Sequence, residues 1–338
     1  MQKRVLTKAD GRRLILYAWE RLHGEPTEDR LRAPEHRAHL RLHPLLDAWV
    51  IYAAHRQGRT HLPGPEACPF CPGGEVPFSD FEVAVFENRF PALSKDPGPA
   101  PELPVPTAPA QGRAEVVVYT PEHAGSLATL SPKRRRLLVR AWQDRYQELY
   151  RLPEVRYVLP FENRGREVGV TLTHPHGQLY AYPFVPPIVA REAEAFARKP
   201  VLEELFPALG PYRIAERPGF FAFVPPFARY PYEVWIAPEA PHPGLWSFRE
   251  YELDAFADLL GEVVARLDAL FARPMPYVMV LHAAPKGVAT FHFHVEFHPR
   301  LRAANRYKYL AGTELGAGAY TVDVLPEEAA RRLREVRP

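Results

Sequence analysis

Two cysteines in 338 residues stand three positions apart, as Cys68-Pro-Phe-Cys71. Thiolates at that spacing suit one tetrahedral ion, and zinc then needs two more ligands that no second cysteine pair supplies. Histidine must complete the set. His123 and one member of the pair His174 and His176 are the candidates, giving a Cys2His2 centre whose ligands come from distant parts of the chain. A redox dithiol or two buried thiols are the competing readings. The run His174-Pro-His176-Gly177-Gln178 offers a second kind of chemistry. An imidazole held in one tautomer attacks phosphorus, Gly177 leaves space and an amide for phosphate oxygens, and Gln178 adds a neutral donor. The competing reading there is a pair of metal ligands or packed histidines.

The elements that must position these residues come in a repeated order. Ala114 to Tyr119 reads as a strand, His123 lies in the turn after it, and a helix capped by Ser131 with Pro132 in its first turn follows. Leu138, Trp142 and Leu149 share the apolar face of that helix. Downstream, Tyr232 to Ile236 is a strand, His242 lies in a turn, and Leu259, Val263, Leu267 and Leu270 line a helix from about Glu250. Each helix leads to a strand pair, 163–182 and 276–297, that carries paired histidines: His174 and His176 in the first, His292 and His294 in the second. On a strand the period of two sends both imidazoles of His-x-His to one face. Further strands are expected at 13–17, 48–52 and 83–86. The six prolines between Pro97 and Pro109 exclude a sheet interior and predict an exposed loop.

Composition removes several function classes. A formal net charge of +3 with 46% hydrophobic and 25% charged residues describes a globular chain without a field for nucleic acid or an acidic membrane. Arg134-Arg135-Arg136 opens an amphipathic helix without interleaved aromatics and reads as a solvated face. No apolar run reaches membrane-spanning length, and the first residues lack the apolar stretch of a secretion signal, so a cytoplasmic protein is expected.

Taken together, the ordered segments His55-Arg-Gln-Gly-Arg59, Cys68-Pro-Phe-Cys71, Val85-Phe-Glu-Asn-Arg-Phe-Pro-Ala-Leu93, Thr120-Pro-Glu-His123, Phe161-Glu-Asn-Arg-Gly165 and His174-Pro-His-Gly-Gln178 resemble the galactose-1-phosphate uridylyltransferases, the Leloir-pathway branch of the histidine-triad superfamily. The resemblance runs from about His39 to about Arg334. It implies an α+β protein made of a duplicated histidine-triad-like fold, antiparallel sheets with helices packed on one face. Residues 38–195 would form the half with zinc and nucleophile and 196–338 the second half, while 1–37 would be an extension without an assigned role.

The same resemblance implies an enzyme that exchanges UMP between UDP-glucose and galactose 1-phosphate by a ping-pong cycle through a uridylyl-histidine. Zinc is then held by Cys68, Cys71, His123 and His174. His176 is the nucleophile, and Gln178 supports it. Arg56, Arg59, Asn88, Asn163, Thr171, Gly177, Lys308 and Tyr320 contact substrate, Lys308 and the two arginines across a homodimer. A second metal, iron or zinc, maps onto Glu192, His282 and His294, with Glu296 standing where the family has a third histidine. Tyr320 stands where a hexose-contacting glutamine is expected, which leaves open an ADP-glucose or dinucleoside-polyphosphate transferase or phosphorylase. A zinc-stabilised binding module without turnover is the rival from another class.

Overall fold

The computed structural model describes all residues except 21, 23, 25, 59–63 and 79. In chain order the strands and helices are β1 (Gln2–Thr7), β2 (Arg13–Ala18), β3 (His39–His43), β4 (Ala48–Tyr52), β5 (Val83–Glu87), β6 (Thr107–Pro109), β7 (Arg113–Val118), α1 (Pro132–Tyr150), β8 (Tyr157–Arg164), β9 (His176–Tyr182), α2 (Pro187–Arg198), α3 (Val201–Leu205), β10 (Arg213–Arg217), β11 (Phe220–Phe223), β12 (Val234–Pro238), α4 (Glu250–Ala269), β13 (Tyr277–His282), β14 (His294–Pro299), β15 (Leu301–Ala303), β16 (Arg306–Tyr307), α5 (Gly312–Ala317) and α6 (Pro326–Glu335). Ser131 caps α1 as its spacing predicts, its Oγ accepting from the Arg134 amide at 3.2 Å.

The expected duplication is present, but the two halves do not keep separate sheets. Eleven strands run in the order β1-β2-β5-β7-β9-β8-β13-β14-β12-β11-β10. The series β5-β7-β9-β8 is mirrored by β11-β12-β14-β13 about the antiparallel β8 and β13 pair, where Phe161 faces Val280 and Arg164 faces Tyr277. Joining the two half-sheets there removes two edges that would otherwise expose unpaired backbone groups. The first residues belong to the same sheet, because β1 pairs with β2 and β2 with β5. The proline-rich loop ends in a short edge strand: β6 pairs with β3 in a small sheet of order β4-β3-β6. Proline is tolerated at such an edge because its missing N–H faces away from the ladder.

Strand periodicity divides the large sheet into two faces. Ile15, Tyr17, Val85, Val117, Leu179, Met279, Leu281, Val295 and Phe297 point to the face covered by α1 and α4, where they form the main core. Their neighbours Leu14, Leu16, Ala84, Phe86, Val116 and Val118 point the other way, onto Cys68 and Phe70. His176 and Gln178 stand opposite Val118 and Val116, so they share that second face. Buried charge ties helices to strands: Arg145 of α1 forms a two-pronged pair with Glu115 of β7 at 2.7 and 2.9 Å, and Arg164 of β8 does the same with Asp268 of α4 at 2.7 and 2.9 Å. The expected solvated arginine face is partnered instead. Arg134 reaches Glu122 at 2.6 Å, Arg136 reaches Asp258 of α4 at 2.7 Å, and Arg135 donates to the carbonyls of Leu127 and Leu130. Among the described residues no helix is long and apolar enough to cross a membrane.

Glu162 lies at the joint between the halves. It is buried on the helix-covered face and takes hydrogen bonds from Tyr119 Oη at 3.3 Å and from Tyr277 Oη at 3.1 Å. Burial, opposed by Arg164 and the two hydroxyls, lifts its carboxyl from 4.5 to about 7. The folded chain therefore holds this proton more tightly than the unfolded chain, so this group's contribution to stability falls as pH rises from about 4.5 through about 7. Glu162→Gln is expected to flatten the pH dependence of unfolding free energy over that window and to gain on the parent protein above it. Denaturant titrations from pH 4 to 8 check this.

Candidate functional site

Two histidines two residues apart are held in opposite tautomers by backbone carbonyls. His174 Nε2 lies 2.8 Å from the carbonyl of Thr120 and His176 Nδ1 lies 2.7 Å from the carbonyl of His174 itself. A carbonyl only accepts, so both of these nitrogens carry hydrogen. The lone pairs are left on His174 Nδ1 and on His176 Nε2.

His174 Nδ1 faces the thiols, 3.9 Å from Cys68 Sγ and 3.6 Å from Cys71 Sγ, and His123 Nδ1 lies 3.4 Å from Cys71 Sγ. In a tetrahedral zinc centre, bond lengths of about 2.3 Å to sulfur and 2.05 Å to nitrogen put S and N about 3.6 Å apart. The four side chains, which lie within 4.8 Å of one another through one ligand atom each, fit such an ion. Burial pushes the Cys71 thiol up to about 11, and the charge of Cys68 beside it adds to the rise. Two thiolates in that position need a cation between them. His123 Nε2 lies 3.3 Å from Thr173 Oγ1, which fixes the ring from behind.

His176 belongs to a cleft lined also by Pro69, Phe70, Glu75, Phe86, Asn88, Arg89, Phe90, Val116, Thr171, Leu172 and Gln178. Its ring lies edge-on to Phe70, 4.9 Å between centroids. Burial lowers its pKa to about 4, which keeps the ring neutral. Of the residues expected to meet substrate, Asn88, Thr171 and Gln178 are therefore gathered around His176. Asn88 Oδ1 accepts from the Phe90 amide at 2.8 Å, leaving its NH2 for a ligand. Arg56 Nη1 donates to the Phe90 carbonyl at 2.9 Å and to Tyr180 Oη at 3.1 Å, beside the cleft. Asn163, two residues past Phe161, which stands opposite Gln178, shares their sheet face but does not line the cleft. Arg59 lies outside the described residues.

The remaining expected residues lie elsewhere in the chain. Gly177 does not line the cleft. A Cβ there would come within 2.3 Å of Tyr119 Oη and 2.9 Å of the Phe161 carbonyl, so its missing side chain opens the path by which Tyr119 crosses β9 to Glu162. Lys308 is not near His176 within the chain: it is buried, 2.6 Å from Glu314 Oε1 and 2.5 Å from the Thr321 carbonyl. Tyr320 packs on Tyr230, 5.8 Å between ring centroids, also away from the cleft. Conversely, Glu75, Arg89 and the three phenylalanines of the cleft were given no role from the sequence, although Phe70, Phe86, Arg89 and Phe90 all lie in the matched segments.

The second half repeats the geometry. His292 Nε2 lies 2.9 Å from the Pro238 carbonyl and His294 Nδ1 lies 2.9 Å from the His292 carbonyl. Here the lone pair of the second histidine faces carboxylates: among the described residues His294 Nε2 is buried without a hydrogen-bond partner, 3.7 Å from Glu296 and 4.0 Å from Glu192. Both Glu192 oxygens lie within 2.9 Å of His282 Nδ1. Although burial opposes it, the Glu192 carboxylate raises the His282 pKa. Two carboxylates and two imidazoles fit a divalent cation at the orphaned nitrogen. The far oxygen of Glu296 is held by Arg229 at 2.5 Å and His298 at 2.8 Å.

The folded halves and their His-x-His turns define a duplicated histidine-triad fold. Sequence comparison is more specific: residues 29–186 match the family model of the galactose-1-phosphate uridyl transferase N-terminal domain and 211–338 that of its C-terminal domain. The galactose-1-phosphate uridylyltransferase of Thermotoga maritima is 40% identical over 311 residues, 88% of this chain and 98% of that protein, and that of Streptomyces lividans is 36% identical over 99% and 98%. A solved uridylyltransferase structure superposes with TM-score 0.81 at 30% identity, covering 88% of this chain and 97% of that one. An ADP-glucose phosphorylase from Arabidopsis thaliana superposes with TM-score 0.71 at 25% identity, covering 89% and 99%. The chain belongs to the galactose-1-phosphate uridylyltransferase family.

Gly177→Ala is expected to cost about 1–3 kcal/mol, as overpacking does, and Tyr119→Phe in the same chain to recover part of it. A double-mutant cycle of unfolding free energies measures the coupling.

Proposed function

We propose that this chain transfers UMP between UDP-glucose and galactose 1-phosphate through a covalent intermediate on His176. The observation that carries the reading is the free Nε2 lone pair of a neutral, carbonyl-anchored imidazole facing a cleft with Gln178, in a chain of this family. Nε2 attacks the α-phosphorus, the bond from that phosphorus to the bridging oxygen breaks, and glucose 1-phosphate leaves with the electron pair. Galactose 1-phosphate then attacks the same phosphorus through a phosphate oxygen, the P–N bond breaks, and His176 is restored. The amide NH2 of Gln178 donates to the phosphoryl oxygens as their charge grows, and Arg56 and Arg59 supply positive charge. Asn88, Thr171 and Asn163 orient the nucleotide.

Cys68, Cys71, His123 and His174 hold zinc, which fixes the loop carrying Phe70 against the backbone that presents His176. Glu192, His282, His294 and Glu296 hold a second ion, zinc or iron. The functional unit is a homodimer in which Lys308 serves the neighbouring cleft, and Tyr320 stands at the hexose-contacting position. Residues 38–195 and 196–338 are its two repeats.

His176→Gly tests the assignment of roles. Transfer is expected to fall by at least 10⁴-fold, in the range seen when a covalent nucleophile is removed, while elemental analysis finds the zinc content of the parent protein. Loss of zinc together with activity would exchange the roles of His174 and His176.

A further inference from the structure

Two residues depart from the family's pattern, Glu296 where it has a histidine and Tyr320 where it has a glutamine, and one side chain lies against both. Arg229 belongs to the loop between β11 and β12. Its Nη2 donates to Glu296 Oε2 at 2.5 Å, beside His298 Nε2, which lies 2.8 Å from the same oxygen. Its guanidinium lies 5.8 Å from the Tyr320 ring centroid, within cation–π range. The neighbouring Tyr230 links the same groups, since its ring stacks on His298 at 4.7 Å and meets Tyr320 at 5.8 Å between centroids. A neutral imidazole in place of Glu296 would offer Arg229 no anion.

The loop that carries Arg229 is anchored from beneath. Glu233 is buried, and its Oε2 accepts from the backbone amides of Arg229 at 2.6 Å and Tyr230 at 3.0 Å, while its Oε1 accepts from Trp235 Nε1 at 2.8 Å. The Arg229 side chain is nonetheless 30% exposed. Its hydrogen bonds all run through Nη2, and among the described residues Nε and Nη1 have no hydrogen-bond partner. A guanidinium held by one nitrogen at the edge of solvent presents its other donors to a ligand.

Its neighbours say what those donors meet. The carbonyl of Thr321, next to Tyr320, holds Lys308 Nζ at 2.5 Å. The lysine expected at a phosphate and the tyrosine expected at a hexose are thus tied together, and Arg229 lies on the tyrosine's side. Beyond Tyr230, Arg300 lies 5.1 Å from that ring's centroid and lines a recess of about 270 Å³ with Lys308, Tyr307 and Glu167. A glutamine would offer a sugar an amide NH2. Tyr320 has none, and the unused Nη1 of Arg229, itself an NH2 group, stands beside the ring that replaced it.

We propose that Arg229 is a hexose-binding residue of the sugar-phosphate site, its Nη1 donating to a sugar hydroxyl oxygen, and that Glu296 is the positioning residue that holds it there. The proposal rests on the UMP-transfer reading and on Tyr320 at the hexose-contacting position. Glu296 then has two tasks, with Oε1 turned to His294 and Oε2 to Arg229. The departures at 296 and 320 become one change, made through Arg229.

Discharge of the uridylylated enzyme, loaded with UDP-glucose and freed of small molecules, tests this. Galactose 1-phosphate is the acceptor, and ethyl phosphate, which has a phosphate and no sugar hydroxyl, is the competing inhibitor. In Arg229→Met the galactose 1-phosphate concentration for half-maximal discharge is expected to rise at least 10-fold, about the worth of a charged hydrogen bond. The inhibition constant of ethyl phosphate is expected to stay within twofold, and metal content by elemental analysis to match the parent protein. Glu296→Gln is expected to weaken galactose 1-phosphate in the same direction and to spare ethyl phosphate. If Arg229→Met does not fold, Arg229→Lys keeps a charge for Glu296 but has no second nitrogen for the sugar, and is expected to weaken galactose 1-phosphate at least fivefold. Equal weakening of both ligands would assign Arg229 to phosphate and overturn the proposal, as would unchanged use of galactose 1-phosphate or loss of metal from Arg229→Met. A parent protein that takes up no UMP from UDP-glucose would overturn the proposal together with the reading beneath it, whereas a loaded Arg229→Met enzyme with parental discharge overturns the proposal alone.

Discussion

One hydrogen bond, from His176 Nδ1 to the carbonyl of His174 at 2.7 Å, sets most of what the site can do. It fixes the tautomer of the second histidine and aims Nε2 into the cleft. It also holds the backbone of the first histidine, whose own Nε2 is fixed by Thr120 and whose Nδ1 turns to the thiols. Metal centre and nucleophile are thus two consequences of one backbone conformation, and neither imidazole can take the other's role without a ring flip that breaks its carbonyl bond. Neutrality of His176 follows from the same enclosure, since a half-buried ring bonded only to a carbonyl has no anion to stabilise a second proton.

The second half shows what the conformation alone does not determine. His294 makes the same bond to His292 at 2.9 Å, yet its free nitrogen points at Glu192 and Glu296 rather than at a cleft. Gln178 and Glu296 hold equivalent places, two residues past the second histidine of each pair. A neutral amide beside the first leaves room for a phosphoryl group, and a carboxylate beside the second invites a cation. Duplication supplied two equivalent imidazoles, and the side chain two residues later separates their functions.

Much of this was legible from residue types and spacing. The strand, turn and helix order, the Ser131 cap and the paired histidines follow from local rules that tertiary packing reinforces, whereas the grouping of Cys68, Cys71, His123 and His174 came from the resemblance to a known family. What escaped was non-local. Fusion of the half-sheets through β8 and β13 depends on edge pairing between segments more than a hundred residues apart. Gly177 next to the nucleophile looked like a phosphate cradle, because a sequence does not reveal that Tyr119 must pass over it to reach Glu162. Arg134, Arg135 and Arg136 looked solvated because their partners lie in loops or on α4, and Glu75 drew no attention because two of the cations paired with it, Lys8 and Arg12, lie in the distant turn between β1 and β2.

The central claim is that His176 carries the transferred group, and intact-mass spectrometry at neutral to basic pH tests it most directly, since the P–N bond of a phosphoramidate is acid-labile. Incubation of the protein with UDP-glucose is expected to add the mass of one UMP per chain, lost again on adding galactose 1-phosphate and absent in His176→Gly. Full transfer activity with no UMP mass on the protein at any time would contradict the account, because it would require direct transfer between the two sugar phosphates.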